Sequence, residues 1–463
     1  MNDLERFDPK PTCVRYGVMG YICALAFILY IDRICIGQAG TSMKAELGLS
    51  NVQWSFVGVA FQIAYAIFEP TTGHWGDRFG SRRVLIRIVL WWSAFTALTG
   101  CVWRFSWEPL PGVVFSGFVL LLLIRFLFGA GEAGALPNAA LVISNWFPPA
   151  KRGPALAMIS TSAQLGGAVT PALAARFIDS PLIGWRWAFV IFGSLGVVWS
   201  WFFARWFRDD PATHPHVNDA ERCYIQTGRS AVAESAAHVE RVPWEFVLAS
   251  ANVWLLGAIS ACTSFFSYML FFWFPTYLKE GRGLGEGPSG QLGSIPYLFG
   301  ATGVLIGGYL GDWLTVRLGS RRRALGVMGT VGLLLAGTCV GGSVLIDAPL
   351  LAVLLCSVGY FFSYIQLAAW WSTMADIGGR HVGALFGLGN MIGLGGGALS
   401  QVFLGSYADY RKALGLMGRD QWDPAFYFYG GVLVVGGLLW LFINPAKPVV
   451  PVGESTGFSR KPR

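Results

Sequence analysis

Two sets of six long apolar stretches, separated by short polar breaks, restrict what this chain can fold into more than any other feature. A helix needs about 20 residues to cross roughly 30 Å of hydrocarbon at about 1.5 Å per residue. The first set lies near residues 15–37, 52–73, 84–103, 113–137, 154–177 and 187–206. The second lies near 251–275, 290–311, 324–346, 349–373, 382–406 and 425–443. Only 13% of the residues are charged, against about 25% in an ordinary soluble protein, and mean hydropathy is +0.52. The 60 glycines fall largely inside the apolar stretches, where small residues let membrane helices approach closely. The pattern predicts an all-α integral membrane protein with twelve transmembrane helices in two six-helix halves.

The longest polar stretch between the sets runs from Asp209 to Arg241 and reads as an inter-half linker with some surface helix. The expected division is residues 1–207 for the first half, 208–247 for the linker, 248–446 for the second half and 447–463 for a tail. The first apolar run is too long for a cleaved signal peptide and carries Asp32-Arg33. With the N-terminus inside the cell, most Lys and Arg, including Arg78, Arg82, Arg83, Lys151, Arg152 and Arg321 to Arg323, fall on the cytoplasmic side. That bias predicts that both termini are cytoplasmic; the expected location is a bacterial inner membrane.

Several classes are disfavoured. The net charge of +8 is spread among the loops and forms no basic face for nucleic acid. Cysteines such as Cys23, Cys35, Cys101, Cys262, Cys339 and Cys356 lie in apolar segments with no metal-ligand spacing. Histidines 74, 214, 216, 238 and 381 show none either, so a membrane enzyme has no visible nucleophile–base pair or metal cluster. No metal or other cofactor is expected.

The chain repeats itself. Gly73-His74-Trp75-Gly76-Asp77-Arg78-Phe79-Gly80-Ser81-Arg82-Arg83 stands between the second and third stretches. Gly308-Tyr309-Leu310-Gly311-Asp312, followed by Arg317-Leu318-Gly319-Ser320-Arg321-Arg322, stands between the eighth and ninth. Parallel halves related by an axis along the membrane normal are one known transporter architecture. The motif resembles the signature of the major facilitator superfamily. That resemblance implies a gate at Gly73, Asp77, Arg78, Gly80, Arg82, Arg83, Asp312, Arg317 and Arg321. There the aspartate can meet a helix N-terminus of the other half, and the arginines can meet carboxylates across the cytoplasmic face.

A narrower resemblance rests on Tyr30-Ile31-Asp32-Arg33, on Arg125 to Ala133 with Glu132 near its end, on Trp146-Phe147-Pro148 with Lys151-Arg152-Gly153, and on Gln164. Together these resemble the anion:cation symporter family, which includes bacterial sugar-acid and phthalate porters and animal sialic-acid and glutamate carriers. The implied function is import of an organic anion, such as a sugar acid, by proton symport with alternating access. The implied protein is a monomer in the lipid bilayer, driven by a proton gradient; sodium is the alternative ion. Export or exchange of a bulkier aromatic acid is the rival transport reading.

Asp32, Arg33, Arg125 and Glu132 are ionisable residues deep in apolar stretches, where each costs roughly 2.5–3.5 kcal/mol at the bilayer centre. A structural ion-pair network would account for them. Two guanidinium forks that bind a carboxylate, with Asp32 and Glu132 as proton carriers, account for them and for transport together. The resemblance adds Tyr30, Tyr65, Gln164, Trp371 and Asn390 as substrate-lining residues. Ala368, Ala369 and Trp370 stand where galactonate porters carry hydroxyl side chains, which speaks against a polyhydroxylated sugar acid and leaves room for a bulkier or more aromatic anion. Glu69-Pro70 is expected to pair with a gate arginine or to kink its helix, and His74 to be a solvated loop residue.

Overall fold

The computed structural model describes residues 10–110, 113–227, 244–444 and 449; the side chains of His74, Asp77, Pro109, Leu110, Val113 and Arg380 lie outside it. Residues 228–243 of the expected linker, and the expected tail apart from residue 449, lie outside the described residues.

The first half contains α1 (Val14–Leu47), α2 (Asn51–Phe79), α3 (Ser81–Thr99), α4 (Gly117–Glu132), α5 (Ala135–Trp146), α6 (Pro149–Ile178) and α7 (Gly184–Trp206). The surface helices α8 (Asp219–Gln226) and α9 (Trp244–Ala249) follow. The second half contains α10 (Ala251–Phe272), α11 (Glu286–Leu318), α12 (Arg321–Ser343), α13 (Pro349–Gly378), α14 (Val382–Ala413) and α15 (Arg419–Leu439). Helices α4 and α5 together make the fourth span, so the described residues contain twelve spans. By length and apolar composition, eight described segments qualify as spans by themselves. The remaining four are α2, α3, α6 and α11, whose ends carry charges such as Arg82, Lys151 and Asp312. The face where α1 begins and α15 ends is called here the terminal face, and the opposite one the distal face.

Large apolar side chains point outward on these helices: Leu399 and Val316 are mostly exposed, as are Trp201 and Phe202. A soluble surface rarely tolerates such apolar cover, whereas lipid requires it.

The internal repeat extends to packing. In the first half α1 packs on α6, α2 on α4, and α3 on α7 and α4. In the second, α10 packs on α14, α11 on α13, and α12 on α15 and α13, which is the same set of pairings. The halves meet through α6 with α11 and α2 with α14, again equivalent pairs. Glycine makes these approaches possible: a Cβ on Gly290 would lie 2.5 Å from the Pro171 carbonyl oxygen, and one on Gly405 2.7 Å from that of Asn51.

Three local features differ from expectation. Helix α1 continues ten residues past residue 37, because Gln38 and Lys44 find partners on the distal face. Ser106–Leu110 and Val113–Ser116 form a small antiparallel hairpin, β1 and β2, on the distal side. The first repeat motif is no loop, since α2 runs through His74 and Asp77 to Phe79. The chain turns at Gly80, whose φ of +83° and contact with Asp209 suit glycine alone; Gly319 turns the second motif with φ +60°.

On the terminal face α8 docks against the start of α1. Glu221 accepts from the backbone N–H groups of Val14 and Arg15 at 3.1 and 3.0 Å and pairs with the Arg15 guanidinium at 3.1 Å. His214 packs between Trp146 and Trp206, and its burial holds the imidazole below its ordinary range.

Candidate functional site

The fourth span breaks directly after Glu132. Helix α4 ends there, Ala133 and Gly134 turn, and α5 restarts at Ala135. A Cβ on Gly134 would lie 2.8 Å from Thr72, so the break also lets this span press on α2. Discontinuous helices are a recurrent way of presenting polar groups at mid-membrane.

At the break, Arg33 of α1 donates from Nε to Glu132 Oε1 at 2.8 Å, and its Nη2 donates to the same oxygen. The other oxygen of Glu132 has no hydrogen-bond partner among the described residues. Arg125, two turns earlier on α4, is 2% exposed, and its Nε is likewise unpartnered among them. Asp32 is fully buried beside the Trp92 indole and lies within electrostatic reach of Glu132 and Arg125. Two cations and two carboxylates therefore share one buried region, with one direct ion pair between them.

Aromatic rings enclose the cations. The Arg33 guanidinium lies 5.7 Å from the Tyr30 ring, 5.2 Å from Phe61 and 5.1 Å from Tyr65. Arg125 lies 5.5 Å from Phe61 and 4.3 Å from Phe128. Phe61 thus stands between the two arginines; as one phenylalanine in an apolar run it gave no signal in the sequence. Such contacts hold a guanidinium without occupying its N–H donors. A narrow cleft opens beside both arginines, between α2 and the second half, and is also lined by Gln62, Tyr268, Phe271 and Gln401.

The residues added by resemblance are dispersed. Tyr30 and Tyr65 flank Arg33. Gln164 donates to the Tyr364 hydroxyl, which in turn accepts from Tyr360 at 3.1 Å, so this contact bridges the halves. Asn390 donates to Glu69 Oε2 at 2.6 Å, also across the halves and nearer the terminal face. Glu69 therefore pairs with Asn390 and not with a gate arginine. Trp371 is 51% exposed and packs on Phe386 at 4.5 Å, away from the arginines, while Trp370 turns inward and donates to the Leu256 carbonyl. The one-residue step of about 100° around a helix separates their directions.

The described gate side chains make their contacts within their own halves. Arg321 forms a two-bond fork with Asp376 at 2.7 and 3.1 Å. The backbone of Arg82 donates to Asp209 at 2.8 Å, and its side chain donates to the Ala204 carbonyl. Arg78 and Arg317 lie over Phe79 and Trp313, and Arg83 and Asp312 are exposed. The Asp77 side chain is outside the described residues.

Ties between the halves concentrate on the distal face, where sequence patterning indicated nothing. Lys44 bridges Glu280 at 2.9 Å and Asn51 at 2.6 Å. Asn51 donates to Asp409, which also accepts the Val52 N–H at 2.9 Å. Lys279 binds the Gln38 carbonyl at 2.7 Å and Glu286 at 3.0 Å, and the Gln38 amide donates to Glu286 at 2.7 Å. The distal face is closed by this network, with Trp54 stacked on Phe272 beneath it.

A family model described as Major Facilitator Superfamily matches residues 22–401. A probable sulfoacetate transporter of Cupriavidus necator is 33% identical over 96% of this chain and 97% of its own length. A probable galactarate/D-glucarate transporter of Escherichia coli is 30% identical over 86% of this chain and 87% of its own. Among solved structures, a bacterial homolog of the human lysosomal transporter spinster, in an inward-facing and unoccupied conformation, is similar with a TM-score of 0.73. It is 18% identical and covers 93% of this chain and 97% of that one.

Proposed function

The chain belongs to the major facilitator superfamily, among its anion:cation symporters, and from that premise we propose that it imports a small organic anion, a carboxylate or sulfonate, together with a proton. One observation carries this reading: the Arg33–Glu132 pair stands beside a second, buried arginine and a second, buried carboxylate, and both arginines line the cleft between the halves. Glu132 occupies the fork of Arg33 as a substrate oxyanion would. Protonation of Glu132 removes that counter-ion and frees Arg33 for the anion, while Arg125 supplies a second set of donors. Loss of the proton on the other side restores the Arg33–Glu132 pair and expels the anion. Asp32 is the second proton carrier.

The names of the two relatives, one for sulfoacetate and one for galactarate and D-glucarate, support an organic anion without choosing between a sulfonate and a sugar acid. The Lys/Arg bias supports a terminal face in the cytoplasm of a bacterial inner-membrane protein. On that assignment the closed distal face is the outer gate and the repeat motif the inner one, with one monomer containing the whole path.

Reconstitution tests the reading. Proteoliposomes should accumulate labelled sulfoacetate or D-glucarate when an inward proton gradient is imposed, and a protonophore should abolish the accumulation. Uptake driven by sodium alone would reassign the coupling ion. No uptake of either acid, nor of other small carboxylates and sulfonates under either gradient, would overturn it.

A further inference from the structure

Two glutamines at the cleft have no part in the ion-pair chemistry. Gln62 lies on α2 and Gln401 on α14, the helices through which the halves meet, and each is 1% exposed. Neither the nitrogen nor the oxygen of the Gln62 amide has a hydrogen-bond partner among the described residues. Gln401 donates from Nε2 to the Tyr268 carbonyl at 3.1 Å, which sets the orientation of its amide, and its Oε1 is left unpartnered among them. Both line the same cleft as Arg33 and Arg125.

Packing gives no reason for amides here, since a leucine or methionine would fill the space without burying unmet polar atoms. Glutamines that serve only to join α2 to α14 would bond each other across the interface, and no such bond forms. The cleft therefore offers two kinds of unmet group. Arg33, Arg125 and the Gln62 nitrogen are donors, which the oxygens of an anion satisfy. The Gln401 and Gln62 oxygens are acceptors, which no carboxylate or sulfonate oxygen can satisfy. They require a donor on the ligand, and beside two guanidinium groups a neutral hydroxyl suits better than an ammonium.

We propose that Gln62 and Gln401 form a specificity subsite that reads a hydroxyl group close to the anionic head of the substrate, so that the preferred cargo is a small hydroxylated acid. This rests on the anion-import reading above and narrows its substrate class. Gly58 helps to make the subsite: a Cβ there would lie 3.2 Å from the Gln401 amide carbon, tight enough to displace it.

Matched probes separate the two claims. Thermal-shift titrations of the purified full chain would compare glycolate with acetate, and 2-hydroxyethanesulfonate with ethanesulfonate. In the wild type the hydroxylated member of each pair should bind about tenfold more tightly, the worth of one good hydrogen bond. In Gln401→Met that preference should fall to about twofold or less; Gln62→Met should lower it likewise and also weaken the plain anion, because the Gln62 nitrogen is one of its donors. Binding of plain and hydroxylated anions with equal affinity in the wild type would overturn the subsite and leave the anion reading standing. So would a preference that survives in both variants. No stabilisation by any of the four probes would overturn both.

Discussion

Removing the Asp409 carboxylate should open the distal face. Asp409 of α14 accepts from the backbone N–H groups of Asn51 and Val52 at 3.3 and 2.9 Å and from the Asn51 side chain at 2.8 Å. It thus caps the N-terminus of α2 from the other half, adding its charge to the end of the helix dipole where an anion is favoured. Losing a side-chain cap costs about 1 kcal/mol, and losing the charge near the dipole about 0.5–1 kcal/mol more. The contact joins the two halves, so it stabilises the distally closed state alone. Asp409→Ala should therefore shift the equilibrium toward distal opening by about 2 kcal/mol, or roughly thirtyfold. Asp409→Asn keeps an acceptor and loses the charge, and should shift it only about threefold. Thr276 provides the readout, being fully buried in the closure against Gly40. In a background without the exposed thiol of Cys101, a Thr276→Cys reporter should react with an impermeant maleimide from the distal side. Its rate should rise in the order parent, Asp409→Asn, Asp409→Ala. Equal rates in all three, with unchanged thermal unfolding, would refute the reasoning and reduce Asp409 to a local helix cap.

Four further outcomes are expected. Arg33→Lys and Arg125→Lys should each weaken anion binding at least about tenfold, because a point charge cannot reproduce the planar fork; near-native affinity by calorimetry would count against the anion site. Glu132→Gln should bind substrate and exchange it in counterflow yet lose accumulation, which a one-unit pH gradient drives by about 1.4 kcal/mol, or roughly tenfold, per proton carried; concentrative uptake by this variant on a proton gradient would move the coupling elsewhere. Asp77→Asn or Asp312→Asn should slow interconversion of the two states, measured as transport turnover, with little change in equilibrium affinity; lost affinity at unchanged turnover would make the motif part of the binding site. The last concerns Glu221, which burial alone would push upward, but the N–H groups of Arg15 and Val14, the Thr12 hydroxyl and the Arg15 guanidinium hold it below its ordinary range. A lowered folded pKa means its contribution is present above the ordinary carboxylate range and lost as pH falls through the folded value. Docking of α8 on α1 should thus loosen only in acid, and Glu221→Gln should loosen it at neutral pH by about 2 kcal/mol, read as faster limited proteolysis near α8.

The twelve spans, the parallel repeat and the four deep charges were legible without coordinates, because each follows from a local cost. Hydrocarbon excludes unpaired backbone, which imposes runs of about 20 apolar residues. A charge inside such a run is expensive enough to mark itself, as Asp32, Arg33, Arg125 and Glu132 do. What those charges do to one another was decided by the tertiary structure. Periodicity puts Arg125 and Glu132 on one helical face, yet Glu132 binds Arg33, 99 residues away, because the fourth span breaks after Glu132 beside α1. The same rotation about a helix axis turned Trp370 inward and Trp371 outward, a choice that two adjacent tryptophans in an apolar run do not reveal. Gln62 and Gln401, 339 positions apart in the numbering, became neighbours in one cleft only through the packing of α2 on α14. The distal gate was hidden for the opposite reason. Gln38, Lys44, Asn51, Lys279, Glu280 and Glu286 read as ordinary polar span ends, and only docking of the halves, which depends on shape at the glycine contacts, matched each with its partner. Burial costs act on one residue at a time and can be read along a chain. Pairing depends on how rigid helices rotate and close against each other, and that is a property of the assembled fold.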